Sequence, residues 1–535
     1  MIHTHLQTTH GRRWRTSEHA AVTGYLWENE NLLEGSALLD WISQPGVHAD
    51  LPNVLPRVDG FFSLVYQQQD ALWAAVDHVR SLPLFYGQKN GEFYLSDDAN
   101  WVRQQIDDRT MDDLSVAEFL QATYVTGPDT LFPNVKQLQA GEMLSAKREN
   151  GVYRVQTHRY FRYVHEDFYD DDESSIVRRM DTMYEGVFAR LIRRAAGRTI
   201  VVALTGGYDS RLIVLMLRRL GYDNVLCYTG GAPWFFDVRF AQQVAKALGY
   251  RWETVEYTTE KWRRLYDAPE RRDYGRFAYN LTSLHHLLEW PAVVELHQRG
   301  YFPPESIFLA GHTAIATCHT PDSLESDSPR GTDAVVQALW GAKYTYQWAS
   351  GRGAEFRPRI EQKIASLIGD LPADTPEQAA SAFECWEWQE RQAKLQINAV
   401  RMYEFWGYEW NLPLWTVPAT EFWMRVPLRL RKEKWFYRRH VCEMCAGLDL
   451  PSPPPRPKMG GRIKRVLPWL GLARLGRYLV NRRKRKRHPL AAYGIVPRRA
   501  WKQVKNEISP MTYCINQALK EIQQDCGIPD DKKTV

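Results

Sequence analysis

The chain reads as two folds in succession: an α+β unit of antiparallel strands, then an α/β unit with a doubly wound parallel sheet and a helical C-terminal part. Three observations predict this. Up to about residue 155, apolar residues alternate along short aromatic-rich runs, as in 20–29, 60–68 and 70–79. Between 199 and 257, β-branched runs alternate with segments of helical period. Beyond 384, tryptophan-rich stretches at helical spacing take over. The boundaries are set at 1–155, 156–460 and 461–535.

Composition narrows the class. At 535 residues, two or three domains with sizeable cores are expected. A content of 44% hydrophobic and 25% charged residues fits a globular protein and excludes a disordered one. No apolar run approaches the ~18 residues of a membrane span, and the N-terminus has no apolar signal core. Seven scattered cysteines imply reduced thiols and a cytoplasmic setting. Cys442 and Cys445 form a single C-x-x-C on a helix; with no second pair, two helical thiols are a better reading than zinc.

In the first unit, turn signals such as Lys89-Asn90-Gly91 separate the strands, and a helix is expected near Leu32–Ser43. In the second, Ile176, Met180, Met183, Val187 and Leu191 mark a helix that follows the acidic turn 170–173. A buried strand follows at Ile200-Val201-Val202, and Leu212, Leu215, Met216 and Leu220 mark the next helix. Further strands are expected at 224–229, 250–257 and 307–312, with a helix at 236–248 closed by Gly249.

Between the strand at 200 and its helix lies Thr205-Gly206-Gly207-Tyr208-Asp209-Ser210. Two glycines permit a tight turn with exposed N–H groups, and the helix start adds positive potential, so this turn suits an anion such as pyrophosphate. Asp209 is placed to hold a magnesium ion. No Gly-Lys-Ser/Thr follows, which excludes a Walker A loop.

This loop resembles the Ser-Gly-Gly-x-Asp-Ser loop of the N-type ATP pyrophosphatases, with Thr205 for the first serine. Asp59–Tyr66 and Trp73–Tyr86 resemble the class II glutaminase domain of asparagine synthetases, with its "G-x-F-A…L-x-R-D-x-x-G-x-x-P-L-Y-Y" run. Thr23-Gly24-Tyr25-Leu26-Trp27 resembles the Asn-Gly-Glu-Ile-Tyr strand of that domain. The resemblance to the asparagine synthetase-like family covers roughly 20–450. It implies an Ntn-hydrolase-like first domain and an ATP pyrophosphatase second domain. It also implies ATP and Mg2+ as cofactors, with Thr205, Gly206, Gly207, Asp209, Ser210, Cys227, Tyr228 and Gly311 around the nucleotide and Asp209 on the metal. Arg431–Arg438 resembles "Glu-Lys-x-x-Leu-Arg", which makes Lys434 the catalytic lysine; on composition alone it is one cation of a solvated helix start.

The chain departs from the family at several places. Residue 2 is Ile where the glutaminase nucleophile is cysteine, no cysteine precedes Cys227, and Thr23 replaces the oxyanion-hole amide. Gly311-His312-Thr313-Ala314-Ile315 replaces a Ser-Gly-x-Gly-x-Asp-Glu motif, so acids are lost at 314–315, and Thr416 stands where another acid belongs. His312 and His319 as substitute ligands, or Asp322 and Glu325 on another loop path, are alternatives to simple loop hydrogen bonding.

From Leu450 to Asn506 there is no acidic residue among many lysines and arginines. An extended linker, 451–457, leads to 463–487, which combines an apolar face with cations. Two readings stand: a basic amphipathic helix at an anionic membrane surface, hence peripheral at the inner membrane face, or a helix packed on the protein with a solvated basic end. No module for specific nucleic-acid reading is present.

The expected function is an ATP-dependent amide-forming ligase that adenylates a small-molecule or carbohydrate carboxylate and couples it to ammonia or a substrate amine, without glutaminase activity, as in β-lactam synthetase. The alternative is a degenerate nucleotide-binding or scaffold protein of an envelope or polysaccharide pathway. Other ATP-pyrophosphatase chemistry, such as tRNA thiolation or NAD synthesis, is disfavoured by the glutaminase-like domain. The oligomeric state is left open.

Overall fold

The computed structural model describes residues 1–8, 11, 13–232, 235–317, 320–321, 324, 331–346, 352–448, 450 and 510–528. The linker 451–457 and the basic segment 463–487 lie outside them, as do His319, Asp322 and Glu325.

Residues 2–159 build two packed sheets. The larger runs Val152–Arg159, Glu142–Glu149, Ala71–Val76, Val58–Gln68, Ala20–Glu28, Arg15–Thr16, with Asn31–Glu34 also paired to Ala20–Glu28. The smaller runs Ile2–His5, Glu92–Ser96, Phe85–Lys89, Lys136–Gln137. Strand Val58–Gln68 is buried on both faces for nine residues because each face has its own cover. Phe62 and Leu64 pack with Leu38, Trp41 and Ile42 of helix Ser36–Ser43. Val65 faces the other way, onto a layer with Leu72, Phe93 and Leu95 that joins the two sheets. The outer face of the smaller sheet buries Phe85 with Val102 and Phe119, and with Ile515 and Leu519 of helix Pro510–Asp525. Each such side chain contributes about 1.5–3 kcal/mol when fully buried. The result is a helix, sheet, sheet, helix sandwich.

The helix expected at Leu32–Ser43 is corrected: Asn29, at φ 53°, turns a hairpin, Asn31–Glu34 pairs back on Ala20–Glu28, and the helix starts at Ser36 after Gly35 at φ 60°. The chain start also forms a strand that the mostly polar Ile2-His3-Thr4-His5 did not advertise; it lies parallel to Glu92–Ser96.

The second unit holds a five-stranded, wholly parallel sheet in the order Arg251–Glu256, Val225–Gly231, Ile200–Ala203, Ile307–Leu309, Glu409–Asn411. The chain builds outward from Ile200 on one side, then crosses back to the other. The reversal falls between Ile200–Ala203 and Ile307–Leu309, so their C-terminal ends open the crevice in which such sheets hold ligands. Helix Glu173–Ala195 is capped by Asp172, whose carboxylate accepts from Ser175 N–H at 2.7 Å.

The two units meet closely. Asn411 Nδ2 donates to Tyr25 Oη at 2.6 Å, Trp388 Nε1 to His78 O at 3.0 Å, and Val417 N–H to Asp59 at 2.8 Å. Within the segment read as a basic tail, helix Pro510–Asp525 is instead anchored by a two-pronged pair of Glu521 with Arg271 and by Arg276 with Asp525. Among the described residues, no helix is long and apolar enough to cross a membrane.

Candidate functional site

The loop at the reversal is tied by its own side chains. Strand Ile200–Ala203 continues through Leu204, whose N–H reaches Tyr228 O at 2.9 Å, and helix Tyr208–Arg219 begins after Gly207. Thr205 Oγ1 accepts from Gly207 N–H at 3.0 Å and meets Ser210 Oγ at 3.3 Å; Ser210 Oγ accepts from Thr205 N–H at 3.1 Å. Gly206 N–H donates to Asp237 Oδ1 at 3.1 Å, from the first turn of helix Phe236–Leu248. Neither glycine has a positive φ, so the turn does not draw on the left-handed freedom of glycine. Their role is space: a Cβ on Gly206 would lie 2.5 Å from Asp237 Oδ1 and 3.0 Å from the Phe236 ring. Gly311, entering from the neighbouring strand end, has more room: an added Cβ would make ordinary contacts with Ser210 N and Asp209 Cβ at 3.4 and 3.5 Å.

Asp209 and Lys434 come together across this crevice. Tyr437 Oη donates to Asp209 Oδ1 at 2.8 Å. Burial raises the Asp209 carboxyl above its ordinary range, against the opposing pull of Lys434, the Tyr437 hydrogen bond, Arg438 and Arg211. Burial and the Asp209 charge hold Tyr437 protonated, which fixes it as the donor. Glu433 and Lys434 both lie in the left-handed region, at φ 49° and 58°. Neither is glycine, and each such residue costs of order 1 kcal/mol. That sharp reversal starts helix Trp435–Ala446 at Lys434 and puts Lys434, Tyr437 and Arg438 on one helical face over Asp209.

The other expected residues are placed differently. Cys227 and Tyr228 are fully buried in strand Val225–Gly231. The Cys227 thiol is pushed up to about 12 by burial, and Tyr228 Oη donates to Glu289 at 3.0 Å while its ring packs on Phe302 and Phe308. Their side chains belong to the core, leaving only backbone for a ligand. Half-buried His312 is pulled down to about 4, chiefly by desolvation, so it is neutral near pH 7. Thr416 stands just before helix Val417–Arg425 without capping it, its hydroxyl donating to Pro413 O, and the Val417 N–H donates to Asp59 from the first unit. Sequence reasoning missed Tyr437, Arg211, Arg438 and Asp237. Tyr437 was recoverable from its i+3 spacing to Lys434, and Asp237 from its place at the helix start after the neighbouring strand.

Among the described residues, the donors do not fit a magnesium ion held by protein ligands alone. Such an ion needs several oxygen ligands and negative charge. Asp209 has one oxygen on Tyr437 and cations around it, Asp237 has one on Gly206, and Gly311–Ile315 brings no acid. Among the described residues, no group of three or more His, Cys, Asp or Glu is placed to hold a metal.

A second cavity, of about 440 Å³, lies between the two units, lined among others by Thr23, Gly24, Tyr25, Arg194, Arg198 and Glu409. Arg194 stacks on Tyr25 at 4.0 Å and bonds Glu34 and Glu409, each at 3.0 Å.

The class that the first unit resembles is visible beyond its geometry. Residues 45–161 match the family described as "Glutamine amidotransferase domain", which spans the sheet strands from Val58 to Arg159. No curated protein matches the chain. Among solved structures, an NH3-dependent NAD synthetase from Campylobacter jejuni, in complex with nitrate, is similar at 11% identity and TM-score 0.21, covering 43% of this chain and 96% of that one. A glutamine phosphoribosylpyrophosphate amidotransferase from B. subtilis, complexed with ADP and GMP, is similar at 12% identity and TM-score 0.19, covering 56% of this chain and 64% of that one. At these scores neither likeness bears on function.

Proposed function

We propose that the chain is an ATP-dependent amide-forming ligase of the asparagine synthetase type, acting on a small-molecule or carbohydrate carboxylate. The observation that carries this is the meeting of the Thr205–Ser210 loop with Lys434 at the reversal of the parallel sheet, where half-buried Asp209 and Lys434 come together beside buried Tyr437. The carboxylate attacks the α-phosphorus of ATP, an acyl-adenylate forms, and pyrophosphate leaves. A nitrogen nucleophile then adds to the acyl carbon and AMP departs. Lys434 stabilises the negative charge that grows on the acyl-adenylate during that attack, and Asp209 and Tyr437 keep its ammonium in place. The nitrogen is ammonia or an amine of the substrate, because the strand that carries an amide in the glutaminase motif carries Thr23 here. We assign a cytoplasmic setting on the cysteine content.

The test is a screen of carboxylates and amines for ATP-dependent pyrophosphate release by the purified chain, with glutamine run in parallel. Release that needs both a carboxylate and ATP, with no glutamate formed from glutamine, is the expected result. Glutamate formation would overturn the nitrogen assignment. A scaffold reading is favoured by one observation, the Asp237 carboxylate on the Gly206 N–H, and it stands if no nucleotide binds.

A further inference from the structure

Among the described residues, the loop has two carboxylates beside it, Asp209 and the Asp237 that accepts from Gly206 N–H, and the cations outnumber them on the Asp209 side, which suits a polyphosphate better than a bare cation. Three cations face Asp209: Lys434, Arg438 and Arg211. Arg211 is 0% exposed. Its Nε donates to Gly207 O at 2.9 Å and its Nη1 to Cys445 Sγ at 3.8 Å, and the guanidinium lies over Tyr208 at 4.4 Å and Phe240 at 5.0 Å. Its Nη2 has no hydrogen-bond partner among the described residues. A guanidinium this deep is unfavourable unless an anion compensates it, and Asp209 shared among three cations does so only in part. Arg438, exposed, sits over the same Tyr208 ring at 5.7 Å, four residues on from Lys434. The opposite wall of the crevice is Gly311, neutral His312, Thr313, Ala314 and Ile315, which adds no negative charge.

The geometry points to a loop that takes the triphosphate or the leaving pyrophosphate with its charge neutralised by Lys434 and Arg438 in contact, and by Arg211 through its field, in place of a magnesium ion held by protein carboxylates. This rests on the nucleotide reading above and alters its charge chemistry. Asp209 then acts as a positioning residue that spaces the cations. Magnesium in solution competes with the arginine and lysine for the same phosphate oxygens, so removing it leaves binding equal or tighter.

The experiment is calorimetric titration of the full chain with inorganic pyrophosphate and with ATP, in chelator and in millimolar magnesium, for the parent and for Arg438→Gln. Arg438 is exposed, and circular dichroism checks that the variant is folded. Expected are binding of both ligands in chelator, no weaker than with magnesium, and a loss of about tenfold or more in the variant, as for one charge-assisted contact to phosphate. Binding only with magnesium, insensitive to Arg438→Gln, would overturn this inference and leave the ligase reading standing. No binding of either ligand under both conditions would overturn the ligase reading, and this inference with it.

Discussion

Two of the charge clusters among the described residues are finished to different degrees. In the first, where helix 388–396 meets the amidotransferase-like unit, Lys394 is fully buried with Glu390. Its Nζ reaches Glu390 Oε2 at 2.5 Å, Gly127 O at 2.6 Å and Val125 O at 3.1 Å, and the same Glu390 oxygen accepts from Gly127 N–H at 2.9 Å. Every proton of that ammonium has a partner. In the second, around Asp209, one carboxylate faces three cations and Arg211 keeps an unused donor. A satisfied buried network fixes packing, whereas an unsatisfied one beside a crevice waits for a ligand.

The largest expected effect breaks the first cluster. Lys394→Met leaves Glu390 buried without its ion partner and costs about 3–5 kcal/mol in urea unfolding. Any folded fraction should bind ATP as the parent does, because Lys394 lies outside the crevice. Lys434→Met inverts that pattern: unfolding stays near the parent's, while pyrophosphate release falls about a hundredfold to a thousandfold.

Asp209→Asn sharpens the contrast through pH. The Asp209 carboxyl is raised in the folded chain, so the folded state holds this proton more tightly than the unfolded one. Its contribution to stability is therefore fully present at low pH and is lost as pH rises through the folded value. Asparagine removes that loss and still accepts from Tyr437. Relative to the parent, the variant should be more stable at neutral pH and no more stable in acid, read by thermal unfolding at two pH values. The smallest effect is expected for Asp237→Asn, which keeps an acceptor for the Gly206 N–H but removes a negative charge from the loop. Pyrophosphate should bind a few-fold more tightly, a change of about 1 kcal/mol or less, seen by calorimetry.

The same contrast explains what the sequence made legible. The loop Thr205–Ser210 and its helix are contiguous, so strand, turn and helix signals coincide over a short stretch. Lys434 was reachable only through resemblance, because its meeting with Asp209 depends on a reversal at Glu433 and Lys434 that ordinary residues do not announce by type. Arg211 reads as an ordinary helix cation until the fold buries it. The glycines were read for their turn geometry, yet Gly206 is glycine because Asp237 and Phe236 approach from another helix, a tertiary fact. In the first unit, the alternating strands 58–68 and 71–76 were plain, while Ile2–His5 was not, since its polar residues pair at a sheet edge with few buried side chains.

The central claim is that the crevice at the sheet reversal binds a nucleotide through its phosphates. Its most direct test is calorimetric binding of ATP to the full chain, beside Gly206→Val, whose added side chain collides with Asp237 and Phe236 and displaces the loop. Micromolar binding that Gly206→Val abolishes is the expected result. No heat of binding at millimolar ATP would contradict the claim and leave the crevice a structural remnant.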